Sequence, residues 1–153
     1  MIQLKPLTES ERPIVERWLA DATLMYYMIS ELNPSLPVLS VGIFSDEKLI
    51  GWANLSNIDY DNKKAEFGIA VPDHQPFVCY RATLEMLRIG FNELGLNRIY
   101  IRPLQSNLRD NDQRERFGFV KEGIERKSVR RGDKFEDVVI YSILKEEFEK
   151  RCL

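Results

Sequence analysis

The sequence predicts a mixed α/β (α+β) domain: a central, mostly antiparallel sheet of about seven strands flanked by helices. Three observations carry this. Residues 37–71 contain three strand-like runs separated by short polar turns, which is the pattern of an antiparallel meander. A long amphipathic stretch then lies between two strand patterns, and strand, helix, strand implies a right-handed parallel crossover. Near the C-terminus two more strand patterns flank "RRGDK", a hairpin.

Each element has its own signal. "IQLKPL" (2–7) alternates apolar and polar residues and reads as a first strand. "TESERPIVERWLAD" follows, with Ser10 as N-cap, Pro13 in the first turn, and Ile14, Val15, Trp18 and Leu19 at helical spacing. Residues 23–36, which include "LMYYMI", read as a second short helix ending before Asn33-Pro34. "PVLSVGIF" (37–44), "KLIGWANLSNI" (48–58) and "AEFGIAV" (65–71) are the meander. A helix from about Cys79 to Leu94 puts Thr83, Met86, Leu87, Gly90, Phe91 and Leu94 on one face, and Gly95 stops it as a C′ residue. "NRIYIRPL" (97–104) is the next strand, and the polar run 107–117 a short exposed helix. "FVKEGIERKSV" and "FEDVVIYSIL" form the closing pair, and "KEEFEKRCL" is a helical tail. No repeat or linker interrupts the chain, so one domain over 1–153 is expected.

Composition excludes several classes. A net charge of -2 gives no general attraction to nucleic acid or anionic membrane. Cys79, Cys152 and a single histidine, His74, do not supply a metal-ligand spacing, so no metal is expected. The N-terminus lacks the charged and apolar regions of a signal peptide, and the longest apolar run is far shorter than a membrane span. A reduced, cytoplasmic protein is the expectation.

The segment "PDHQPFVCYRATLEM" (72–86) passes from a strand into a helix. Such a junction exposes backbone N–H groups at a positive dipole end, which favours an anion. It usually carries glycine so that backbone can approach a phosphate, and this segment has none.

The element order, together with "GFNELGLNRIYI" (90–101), Asn107, "FGFVKEG" (117–123) and "GDKFEDVVIYSILKEEF" (132–148), resembles the GCN5-related N-acetyltransferase (GNAT) family. Within it these residues look like the branch acting on ribosomal-protein N-termini and related amines. "AEFGIAV" resembles that branch's fourth strand, and the likeness spans about residues 2–148.

The resemblance implies a sheet splayed between strands 4 and 5, acetyl-CoA in the gap, and direct attack by an amine without a metal. The acceptor would be a small molecule or a protein N-terminus, and a homodimer is compatible. The pantetheine arm would pair with Ile69, Ala70 and Val71. The pyrophosphate loop, Gln/Arg-x-x-Gly-x-Gly/Ala in the family, falls on His74 to Cys79, so the cofactor-facing residues would be His74, Phe77, Val78, Cys79 and Tyr80, with Asn107 opening the next helix.

Several positions depart from that pattern. Phe77 and Cys79 replace the two glycines, Pro76 removes a donor, Asp110 and Asn111 replace a small and an apolar residue, and Arg114 replaces the tyrosine that serves many members as general acid. Charge-assisted hydrogen bonds contribute about 1.5–3 kcal/mol each, so weak or absent CoA binding in the usual pose is expected. A catalytically inactive binding or regulatory module, or one using the cleft for a ligand other than acetyl-CoA, is the alternative.

Glu66 lies where many members have an acidic residue able to deprotonate the amine; the plainer reading is an exposed strand residue. For His74 the plain reading is a surface loop residue, and for Cys79 a packing residue. Arg126, Lys127, Arg130, Arg131 and Lys134 read as a solvated hairpin end, or as a contact for an acidic partner or the cofactor's 3′-phosphate. "LMYYMI" reads equally as core or as an acceptor cover.

Overall fold

The computed structural model of the protein describes residues 1–20, 35–73, 75–106 and 117–151. Nearly all of the segment 23–36 read as a helix, His74, Cys152 and nearly all of the helix expected over 107–117 lie outside them.

Seven strands form one sheet: β1 (Ile2–Lys5), β2 (Leu39–Ser45), β3 (Lys48–Asp59), β4 (Lys64–Ala70), β5 (Arg98–Ile101), β6 (Val120–Arg131) and β7 (Lys134–Leu144). Their order is β1-β2-β3-β4-β5-β7-β6. β4 and β5 are parallel, and the other neighbouring pairs are antiparallel. The helices are α1 (Arg12–Ala20), α2 (Pro76–Arg88), which continues into a π turn over Ile89–Glu93, and α3 (Lys145–Arg151).

The crossover from β4 to β5 through α2 places that helix on one face of the sheet. Val78, Ala82, Met86, Leu87 and Phe91 bury there against Ile43, Ala53, Leu55, Ala65, Ile99 and Ile143. Gly90 lets the helix approach β5, since a Cβ there would lie 2.6 Å from Ile99 Cδ1. Gly95 has φ +69, and the Leu96 N–H returns to the Gly90 carbonyl at 2.9 Å, ending the helix as expected. The opposite face of the sheet packs α1 through Val15 on Trp52 and Ala70, with Leu7, Trp18, Leu19 and Leu49 around them.

Local details differ from expectation. α1 is capped from Thr8 rather than Ser10: the Glu11 carboxylate accepts from the Thr8 N–H at 2.8 Å, and the Arg12 N–H reaches the Thr8 carbonyl at 3.2 Å. That is the reciprocal half of a capping box. α2 begins at Pro76, three residues before the expected start, because proline suits the first helical position, where no N–H is needed. The β2–β3 hairpin turns on Asp46 (φ 48) and Glu47 (φ 68), a left-handed pair adopted without glycine. β5 is shorter than 97–104, for a reason that creates the site.

Candidate functional site

β4 and β5 pair over only three rungs: Lys64↔Arg98, Ala65↔Ile99 and Glu66↔Tyr100. Beyond Glu66, β4 stays with β3 through Phe67↔Leu55, Gly68↔Asn54, Ile69↔Ala53 and Ala70↔Trp52. The chain after Tyr100 instead follows β7: Ile101 pairs with Tyr141, the Val139 N–H donates to the Pro103 carbonyl at 2.9 Å, and Leu104 bridges Val138. The strands therefore part after the Glu66–Tyr100 rung. Among the described residues no strand pairs with that edge of β4 from Phe67 on, so its backbone groups there face a gap. From Glu66 to Ala70 this edge runs about 13 Å at the usual strand rise.

At the far end of the gap stands the N-terminus of α2. Pro76 has no N–H, and the Cys79 N–H is taken by the Gln75 carbonyl at 3.0 Å. Helix geometry leaves the N–H groups of Phe77 and Val78 without intrahelical partners. The Phe77 ring is 71 % exposed and points into solvent instead of filling the junction, whereas Val78 is buried in the core. Phe77, expected in the loop, is helical, and Cys79, expected to open the helix, lies within it. Tyr80 stacks on Phe117, with ring centroids 5.0 Å apart.

At the closed end a row of polar side chains crosses the sheet on the α1 face. Register places Ser56, Glu66, Tyr100 and Ser142 side by side on β3, β4, β5 and β7. Ser56, Glu66 and Ser142 are buried, Glu66 at 5 % exposure, so the exposed-strand reading of Glu66 does not hold. Both faces of β4 are covered, and alternation along a strand reports burial only when one face is wet.

Two arginines flank Tyr100, Arg98 on β5 and Arg102 just beyond its end. Arg98 lies 5.4 Å from the Tyr100 ring centroid and is held by Glu122, which also accepts from the Ser142 hydroxyl. Arg102 pairs with Glu125 at 2.7 Å. The hydrogen bond from Arg98, then that from Ser142, holds the Glu122 carboxyl below its ordinary range. Burial, then the neighbouring Glu66 charge, pushes the Tyr100 hydroxyl up, against a hydrogen bond from the Asn57 amide.

Sequence reasoning missed Tyr100 and Asn57. Asn57 sits in a β3 irregularity between Ser56 and Asp59, at φ 49. A bulge of this kind re-aims a side chain. The one readable signal was the alternation Arg98, Tyr100, Arg102 against Ile99 and Ile101, which marks a polar face inside a short strand.

Of the expected cofactor residues, Ile69 and Ala70 lie on the free edge of β4, Val71 directly follows the strand, and Phe77 and Val78 stand at the helix end. His74, Asn107, Asp110, Asn111 and Arg114 lie outside the described residues. In the basic cluster Arg126, Lys127, Arg130 and Lys134 are exposed, while Arg131 pairs with Glu136 at 2.6 Å. No group of three or more metal-ligating side chains occurs among the described residues. No described helix is long and apolar enough to cross a membrane.

A seven-stranded sheet that splays after one short parallel pairing, with a helix N-terminus at the mouth of the splay, is the fold of the GNAT acetyltransferases. The chain belongs to the GCN5-related N-acetyltransferase family. It is 34% identical over 113 residues to YdaF of Bacillus subtilis (strain 168), a provisionally assigned ribosomal N-acetyltransferase, which covers 72% of this chain. The chain spans 62% of that relative's length. A solved protein described as a probable acetyltransferase superposes with TM-score 0.81 at 25% identity, over 95% of this chain and 94% of its own. Spermidine N-acetyltransferase from Vibrio cholerae, solved with CoA and spermine, superposes with TM-score 0.87 at 22% identity, over 97% and 98%. No protein-family model matches the chain.

Proposed function

We propose that the protein transfers an acetyl or other short acyl group from CoA to an amine, with a diphosphate site that binds weakly. The observation that carries this reading is the gap between β4 and β5, closed at one end by the buried Glu66 carboxylate and open at the other to the α2 N-terminus.

The residues present suit the cofactor's arm better than its phosphates. Ile69, Ala70 and Val71 would pair with pantetheine through their backbone. Phe77 and Val78 would give two N–H donors and a helix dipole to the diphosphate. When bound, the cofactor supplies an acyl carbon activated as a thioester. Glu66 is placed to accept a proton from the amine as it attacks. A glycine-bearing loop offers more donors, and each one missing weakens binding about tenfold or more.

A cytoplasmic acyltransferase for a small polyamine-like or N-terminal amine fits both named relatives, one a provisional ribosomal N-acetyltransferase and the other a spermidine N-acetyltransferase. The second reading, a binding module that no longer transfers acyl groups, is favoured by Phe77, Cys79 and Arg114 at family positions of glycine and tyrosine. The test is thiol release from acetyl-CoA with spermidine and with short peptides bearing free N-termini. Amine-dependent release supports transfer. Absence of release together with retained CoA binding supports the second reading.

A further inference from the structure

We infer that Tyr100 is the proton donor of this site, paired with Glu66 as the proton acceptor. This inference rests on the acyl-transfer reading above. The two residues form the last rung before the strands part, so their side chains stand on the same face at the closed end of the gap. A ligand lying along β4 from the α2 end would bring its reacting end to this rung.

The surroundings prepare the tyrosine for the role. Asn57 holds a left-handed conformation that costs a non-glycine residue energy and is retained where the surrounding structure demands it. Its amide donates to the Tyr100 oxygen. That donor stabilises the phenolate that Tyr100 becomes once it has given up its proton. Burial and the Glu66 charge keep the hydroxyl protonated at neutral pH. The charged groups around it are Glu66 on β4, Arg98 on β5 and Arg102 just after it, the arginines being held by Glu122 and Glu125 on β6.

The chemistry balances. An amine entering as the free base forms the N–C bond while the C–S bond breaks. Glu66 takes the proton leaving nitrogen, and Tyr100 gives its proton to the departing sulfur. Glu66 then returns a proton to the Tyr100 phenolate, and both groups regain their starting states. The net change is one proton moved from nitrogen to sulfur, with no further reactant.

The test compares CoA with desulfo-CoA, which lacks the sulfur, by calorimetry at pH 8.5 on the whole protein and on Tyr100→Phe. We expect the substitution to weaken CoA about tenfold or more and to leave desulfo-CoA unchanged, as loss of a hydrogen bond to a charged sulfur would. The transfer rate to spermidine should fall about 100-fold or more. If Tyr100→Phe binds both ligands as the unsubstituted protein does, Tyr100 does not touch the sulfur and the inference is overturned, while the acyl-transfer reading stands. If the unsubstituted protein binds neither ligand, the acyl-transfer reading fails and this inference falls with it.

Discussion

Glu66 on β4 and Tyr100 on β5 are register partners in the last rung that joins the two strands before they separate. A carboxylate and a phenol are thus held side by side where the backbone edge of β4 becomes available to a ligand. Their burial differs: Glu66 is enclosed, whereas Tyr100 is partly open to its surroundings.

Glu66→Gln should abolish most acyl transfer while preserving the fold. The amide keeps the shape of the side chain and cannot accept the proton, so the rate should fall about 100- to 10,000-fold. Acetyl-CoA affinity should stay within about twofold. Calorimetry beside a thiol-release assay separates the two, and an unchanged rate would remove Glu66 from the chemistry.

Asn57→Gly tests positioning. Glycine accepts the φ of 49 at this bulge without strain, so the backbone is retained and only the amide donor is lost. Because that donor holds the Tyr100 pKa down, its loss should move the tyrosine's titration to higher pH. Ultraviolet titration of tyrosinate, with Tyr100→Phe as the blank, reads this directly. A titration that does not move would mean the amide is not a Tyr100 partner in solution.

The helix end sets a third expectation. Pro76 occupies the first helical position and withholds an N–H, so Pro76→Ala adds a third donor beside those of Phe77 and Val78. CoA affinity should rise about tenfold. Phe77→Gly with Cys79→Gly should gain less, because the Phe77 ring already lies in solvent and the Cys79 N–H is already bonded. A larger gain from the double glycine variant would mean that side-chain bulk, rather than donor number, limits binding.

Glu136 sets a fourth. Burial opposes its charge, but hydrogen bonds from Ser106 and from the Arg131 guanidinium prevail and hold its pKa below the ordinary value. One of those bonds comes from the Ser106 N–H at 2.8 Å, which ties the chain leaving β5 to β7. A depressed folded-state pKa contributes stability that is present above the unfolded value, about 4.3, and is lost as pH falls through the folded one. Glu136→Gln should therefore lower Tm at pH 7 and flatten its decline between about pH 5 and 3. An equally steep decline in the variant would assign the acid sensitivity to other carboxylates.

Much of this architecture was legible in the residues. The meander, the crossover helix and the closing hairpin each carried a periodic pattern with turn residues at its ends, and all appear in the expected order. Glu66 was singled out, but its burial was not visible, because a strand covered on both faces hides polar residues that alternation assigns to water. Pro76 was read as loop although proline at a first helical position is itself a start signal. Tyr100 and Asn57 were missed for a different reason: their meeting depends on a β3 irregularity and on pairing between strands distant in sequence, which no local pattern encodes.

The most direct test of the account is a calorimetric titration of the protein with acetyl-CoA. The gap along β4 and the two donors of α2 predict saturable one-to-one binding, in the range of about 10 μM to 1 mM given the missing donors. No heat of binding through several millimolar ligand would contradict the account at its centre.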